Sequence, residues 1–341
     1  MASLHNPLVS VILPLYNGRA YLPTALNSIA RQHYPHLEIV AVDDGSTDGG
    51  SAILENFAAT FAGKLQMLCH PGRRRRGIAA SYRLALPYCR GGIIAFLDQD
   101  DYWSDHKISA QVQVLQQVPE AGVVFSDVHT FSDGGTPAAT PFEGFLNRPP
   151  REKPFDAFCR LLWGNFVLTF SNIMVRREHL RPSDFLSKPD GYQDWMLLLL
   201  LSARCRFYHC RQVQTFWRQH AASFHGALKQ HGNYAARNRT LRRAVLDNAL
   251  ERILAERARD LRNANMSPAF WPHRYWKGIV AMLDAAHQLV DFCQHPVRQM
   301  PQRIKDKGVR SKDKGVRSKD KGVRSKDKGV RSKDKGVNIP G

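Results

Sequence analysis

The sequence predicts an α/β protein in which a mostly parallel sheet is covered by helices on both faces, followed by a small helical annex and a structureless basic tail. Three observations predict it. Short, β-branched apolar runs alternate with helical patterns through the first 130 residues. From about Gly226 to Arg303 the pattern turns helical and arginine-rich, and from residue 304 the chain repeats a short polar unit with almost nothing to bury. The expected divisions are therefore a folded domain over 1–225, an annex over 226–303 and a tail over 304–341.

The strands come first. LVSVILP (8–14), LEIVAV (37–42), LQMLC (65–69), GGIIAFL (91–97) and GVVFS (122–126) are each short enough for a buried strand. Between them, YLPTALNSIARQ and HKISAQVQVLQQV carry helical periodicity, and the order strand, helix, strand implies parallel pairing with both faces covered. Further along, FSNIMVRRE (170–178) reads as another strand, GYQDWMLLLLLSA (191–203) as a helix opened by Asp194, and FYHCRQVQTFWRQH as strand material. The annex, with RTLRRAVLDNALERILAERARDLRNA and WKGIVAMLDAAHQLVDFC, has apolar stripes that suit either packing on the folded domain or lying on a membrane surface.

With 341 residues and 43% apolar side chains, the chain can bury a sizeable core. Its 49 basic and 30 acidic side chains suggest at first a nucleic-acid partner. The distribution argues against one: Arg303–Val337 holds 15 Lys or Arg against five Asp, more than half of the +19 excess, and does so without aromatic residues on a folded platform. That tail is KDKGVRS four times over from Lys305 to Ser332, then a partial copy. One valine per unit yields roughly 1.5–3 kcal/mol on burial, while ordering each residue's backbone costs roughly 1–2 kcal/mol, so disorder is expected. A tether to anionic lipid or another acidic surface is the alternative role.

Six cysteines at 69, 89, 159, 205, 210 and 293 form no Cys-x-x-Cys pair, which argues against a zinc site or a disulfide framework and for a reducing cytosol. The opening residues MASLHNPLVSV lack a secretory signal, and the longest apolar run, WMLLLLL, has seven residues where a spanning helix needs about 20.

In parallel sheets ligands sit beyond the carboxyl ends of the strands. Here those ends read PLYNG (14–18), DDGSTD (43–48) and DQDD (98–101). An Asp-x-Asp pair in a loop leaving a strand offers oxygen ligands to Mg²⁺ or Mn²⁺, ions that commonly take one or two carboxylates and complete their shell with substrate phosphates. Acids after strands also cap helices and shape turns, so Asp98, Asp100 and Asp101 taken alone leave both readings open. Recurrence of polar clusters at successive strand ends favours a site.

The ordered set VSVILPLYNG, LEIVAVDDGSTDGG, RGIAASYRLAL, GGIIAFLDQDDYW and GYQDW resembles the family 2 glycosyltransferases, over about residues 7–225. These are bacterial inverting enzymes of the GT-A fold, with a Rossmann-like sheet, that use nucleotide-diphosphate sugars. The resemblance implies that Pro14 and Tyr16 hold the nucleoside base, with the tyrosine ring available for stacking. It implies that Asp44, with Asp43 beside it, contacts base or ribose. Asp98 would lean toward the sugar nucleotide and share a Mg²⁺ or Mn²⁺ ion with Asp100, and Asp194 in YQDW would be the catalytic base. Arg218, in WRQHAAS, would approach the diphosphate, and His220 the metal; Arg76, in the arginine-rich loop HPGRRRRG, would either clamp the diphosphate by bidentate pairing or stay solvated. Trp163, Gly164, Asn165, Ser171 and Asn172 fall where acceptor-side residues are expected. The implied partners are a nucleotide-sugar donor and a saccharide or lipid-linked acceptor, the implied role synthesis of a bacterial surface polysaccharide or lipopolysaccharide, and the implied location the cytoplasm or the inner face of the membrane.

Three departures stand out. Gln193 replaces the glutamate that commonly precedes the base, Arg73 to Arg76 crowd a loop that usually holds one basic residue, and Arg83 replaces a frequent asparagine. They keep open a catalytically inactive relative that only binds. A sugar nucleotidyltransferase is disfavoured, because PLYNGRAY has one glycine where a glycine-rich phosphate loop would follow the first strand.

Overall fold

A computed structural model describes residues 6–61, 63–139, 149–150, 152–188, 191–221, 223 and 234–263. The strands are β1 (Val9–Leu15), β2 (Leu37–Asp43), β3 (Leu65–Cys69), β4 (Ile93–Phe96), β5 (Tyr102–Trp103), β6 (Ala121–Phe131), β7 (Ala138–Ala139), β8 (Pro154–Phe155), β9 (Met174–Arg176) and β10 (Arg206–Arg218). The helices are α1 (Leu22–Ala30), α2 (Gly50–Thr60), α3 (Ile78–Ala85), α4 (Lys107–Gln117), α5 (Phe158–Trp163), α6 (Gln193–Ser202) and α7 (Tyr234–Asn263). One sheet runs in the order β3-β2-β1-β4-β9-β6-β10-β5, with β7 on β6 and β8 on β10.

Strands β3, β2, β1 and β4 pair in parallel, as do β6 and β10. Alternation along each strand feeds two cores. Val9, Val11, Leu13 and Leu15 pack with α1, α2 and α4 through Leu22, Leu26, Leu54, Ile108 and Val112. Ile12, Val40, Val42, Ile94 and Phe96 face the other layer, with Tyr82 of α3, Leu161 of α5 and the leucines of α6.

The expected strand over 170–178 is shorter than the pattern suggested. Only Met174–Arg176 is extended, between 3₁₀ turns at Phe170–Asn172 and Arg177–His179. The Thr169 hydroxyl accepts from the Ser171 amide and starts the first turn. The Asn172 side chain is spent on Ser126, accepting from its amide at 3.0 Å and donating to its carbonyl at 2.9 Å. β9 also runs antiparallel to both β4 and β6, which makes the sheet mixed at its centre.

WMLLLLL finds its explanation in α6, where every residue from Trp195 to Ser202 is buried. A helix apolar all round is what a position between layers requires. On one side it meets α5; on the other, α7 covers it with Val245, Leu246, Ala249 and Leu250. Arg204 adds a polar tie, pairing with buried Asp184 at 2.6 Å and with Glu256 of α7 at 2.6 Å. In its described part, then, the annex packs on the folded domain. The stretch WKGIVAMLDAAHQLVDFC and the KDKGVRS tail lie outside the described residues. Among those described, no helix is long and apolar enough to cross a membrane, and Cys69, Cys89, Cys159, Cys205 and Cys210 are free thiols.

Candidate active site

A cavity of about 740 Å³ opens beyond the carboxyl ends of β1, β2 and β4, closed on its far side by the start of α6. Pro14, Tyr16, Asp44, Arg76, Asp98, Asp100, Asp194 and Arg218 all line it. Asp43 and His220 are not among the lining residues.

At one end stands Tyr16. Gln99 fixes its backbone in both directions: the Tyr16 amide donates to Gln99 Oε1 at 2.8 Å, and Gln99 Nε2 donates to the Tyr16 carbonyl at 3.0 Å. Gly18 makes this possible, since a Cβ there would meet the Gln99 amide at 2.3 Å. The Arg75 guanidinium lies 4.1 Å over the Tyr16 ring, close enough for a cation–π contact. Asp44 shapes the arginine loop, accepting from the Arg76 amide at 2.6 Å and the Gly77 amide at 2.7 Å, while His70 Nε2 sits 3.5 Å from its Oδ1. Gly77 holds φ +87°, a conformation that favours glycine. Asp43, expected beside Asp44 at the nucleotide, turns away. Its carboxylate accepts from the Ser46 amide at 2.9 Å and from the Ser51 hydroxyl, because neighbouring residues at a strand end point to opposite faces.

The middle of the cavity carries the DQDD acids. Asp98 accepts from the Tyr82 hydroxyl at 3.0 Å, and burial, reinforced by the charge of Asp100, pushes its carboxyl up to about 7. Asp101 is buried and faces away from the cavity, accepting from Thr169 Oγ1 at 3.1 Å and the Arg218 amide at 3.0 Å; burial holds its carboxyl well above the usual range. Asp100 Oδ2 meets His220 Nε2 at 2.9 Å, and His220 Nδ1 is buried without a partner among the described residues. His220, expected at a metal, here braces Asp100 through Nε2. Arg218 lines the cavity, yet its guanidinium is committed: Nε donates to the Asp100 carbonyl at 3.0 Å, Nη1 pairs with Asp133, and the plane lies 4.7 Å from the Tyr21 ring and 4.5 Å from that of Phe131. As placed, these contacts tie Arg218 to the acidic loop.

Among the described residues no group of three or more His, Cys, Asp or Glu side chains is arranged to hold a metal ion. The donor set still suits one. Two carboxylates from a single loop are a common protein share for Mg²⁺ or Mn²⁺. Burial first and the charge of Asp100 second raise the Asp98 carboxyl, and a cation between the two would offset the second of these.

The other end belongs to Asp194, at the first turn of α6. Asn165 Nδ2 donates to its Oδ2 at 2.6 Å and the Trp195 amide to its Oδ1 at 2.7 Å. Burial outweighs both bonds and pushes the carboxyl up to about 7. Gln193 accepts from the Gly191 amide at 2.8 Å, a turn contact that needs no charge. Arg83 ties down the wall opposite, donating to the Phe185 carbonyl at 3.1 Å and Ser187 Oγ at 3.2 Å. Of the expected acceptor-side residues, Trp163, Gly164, Asn165, Ser171 and Asn172 do not line the cavity. Ser171 accepts from the Asp98 amide at 2.9 Å and Asn165 holds Asp194, so both act from behind the wall. Sequence reasoning missed Gln99, Tyr82 and Thr169, none of which carries a distinguishing spacing.

Comparison with known proteins identifies the family. The sequence model of the glycosyl transferase family 2 matches residues 10–182, and the chain belongs to that family. Among its relatives is a protein of Bacillus subtilis (strain 168) named for teichuronic acid biosynthesis, TuaG, 30% identical over 175 residues, or 51% of this chain and 64% of the relative. An uncharacterized glycosyltransferase of Nostoc sp. is 33% identical over 116 residues, 34% of this chain and 35% of that protein. The matches thus span under two thirds of either relative. In fold, the chain resembles the S. aureus TarS fragment 1–349 in complex with UDP, with a TM-score of 0.55 at 17% identity over 89% of this chain and 78% of that one. The same fragment in complex with UDP-GlcNAc gives 0.50 at 19% identity over 62% and 59%. Asp194 and Arg218 lie beyond the matched residues 10–182.

Proposed function

We propose that this protein transfers a sugar from a nucleoside-diphosphate sugar to an acceptor hydroxyl with inversion at the anomeric carbon, using Asp194 as the general base. The observation that carries the reading is the placement of Asp194: a carboxylate on the wall of the cavity that Tyr16, Asp44, Asp98 and Asp100 also line, held by two donors and pushed up to about 7. A base with that value is half ionised at neutral pH and matched to removing a hydroxyl proton as the oxygen attacks. Tyr16 offers an aromatic face for the base of the donor once Arg75 moves aside, and Asp44 holds the Arg75–Gly77 backbone against it. Asp98 and Asp100 would hold Mg²⁺ or Mn²⁺. When bound, such a cation stabilises the negative charge that gathers on the leaving diphosphate. Attack from the Asp194 side, opposite that diphosphate, inverts the centre.

The acceptor belongs to the same proposal: a saccharide or lipid-linked saccharide of a bacterial surface polymer, in keeping with the name of the Bacillus relative. The work would be done in the cytoplasm, at or near the inner membrane. Asp194→Asn tests the reading, because it keeps the shape and removes the basicity. Turnover should fall by about 10³-fold or more while UDP affinity stays within about twofold. Retained turnover would remove Asp194 from the role.

A further inference from the structure

The carboxylate proposed as base depends on a residue far from the cavity. Its two donors come from different segments: Asn165 follows α5, and Trp195 belongs to α6. Asn165 is itself locked, since its Oδ1 accepts from the Val167 amide at 3.0 Å and the Leu168 amide at 3.2 Å. Arg242 of α7 reaches both segments at once. Its Nη2 donates to the Trp163 carbonyl at 2.7 Å, two residues before Asn165, and its guanidinium lies 5.5 Å over the Trp195 ring. The helix holds Arg242 in place from both sides. Asn238, one turn earlier, accepts from the Tyr192 hydroxyl, and Val245, Leu246 and Ala249 are buried in the same core as Leu161 and Trp195.

We propose that Arg242 is a positioning residue for Asp194: by gripping the Trp163 carbonyl and the Trp195 ring together, it sets the spacing of the two segments that aim the Asp194 carboxylate into the cavity. The inference rests on the reading of Asp194 as base. Arginine suits the task because its planar group can stack and donate at once, which an ammonium cannot. Loosening the grip weakens the bond from Asn165, and hydrogen bonds to a carboxylate favour its charged form. The Asp194 carboxyl must then rise further. Among the described residues, Asp98 and Tyr82 feel the charge of Asp194, and both remain in an Arg242 variant.

The test uses the full chain with ¹³C-labelled aspartate carboxyls, the Asp194 signal being the one absent from Asp194→Asn. In Arg242→Ala its titration should move to higher pH by about half a pH unit or more. Turnover of a UDP-sugar should fall about tenfold with UDP affinity unchanged within about twofold. Arg242→Lys, which can still donate to the Trp163 carbonyl, should fold in any case and shift the titration in the same direction by less. Adding Arg242→Ala to Asn165→Ala should change turnover by less than about twofold, since the two act through one bond. An unmoved titration in both Arg242 variants, or turnover and UDP affinity falling together, overturns the proposal. The base reading fails separately: an Asp194→Asn enzyme that still turns over would sink it even where Arg242 variants shift the titration.

Discussion

The two ends of the cavity are built on different plans. Tyr16, Asp44 and Asp98 come from the ends of β1, β2 and β4, so parallel strands deliver these side chains to one edge directly. Asp194 itself is not delivered by a strand. The acid opens a buried helix, its donor Asn165 comes from a loop 29 residues earlier, and α7 clamps both from outside. The first end is a property of the sheet; the second exists only after late elements have packed. Substitutions at the Tyr16 end should therefore act locally on binding, and those at the Asp194 end should couple turnover to the packing of α7.

The widest separation should appear with pH. Asp194 must be ionised to act, so turnover should rise with pH through about 7 and level off above it, falling about tenfold for each pH unit below. UDP affinity measured in parallel at saturating Mn²⁺, which would hold Asp98 ionised, should not trace the same curve; if it does, the titrating group sits at the nucleotide end. Tyr16→Ala should come next in size. Loss of a stacking face is worth about 1–3 kcal/mol, so UDP binding should weaken about tenfold while turnover at saturating donor barely changes. An equal fall in saturated turnover would mean the two ends are not separable. The smallest effect on chemistry should come from Leu246→Ala. Deleting that buried side chain should destabilise the protein by about 2–4 kcal/mol in denaturant titration and lower turnover a few-fold through α7 and α6, with UDP affinity intact. A loss of UDP affinity instead would place the influence of α7 at the wrong end.

This difference in construction also decides what could be read from the sequence. Strand ends are visible as places where apolar runs stop, so the clusters that carry Pro14, Tyr16, Asp44, Asp98 and Asp100 were legible for that reason, while the individual residues were singled out through resemblance. Asp43 was not separated from Asp44, though period-two alternation lets only one of two adjacent residues face the cavity. Arg218 and His220 were found, but their partners were not: Asp133 and Asp100 lie 85 and 120 residues away. Asp194 was legible only through resemblance, since an acid opening a helix ordinarily reads as a favourable charge at the helix start. Asn165 was noted only as an acceptor-side position and Arg242 not at all, because what matters about them is a contact across 29 and 79 residues. The strand expected over 170–178 was overdrawn because Asn172 and Thr169 prefer side-chain bonds to the ladder.

The most direct test of the account is calorimetric titration of the full chain with UDP, GDP and dTDP, each with Mn²⁺ and again with EDTA. The account predicts that one of the three binds, and that its affinity drops at least about tenfold when the cation is removed from Asp98 and Asp100. Binding of none, or binding that EDTA leaves unchanged, would contradict it and return the DQDD loop to a turn braced by His220 and Arg218.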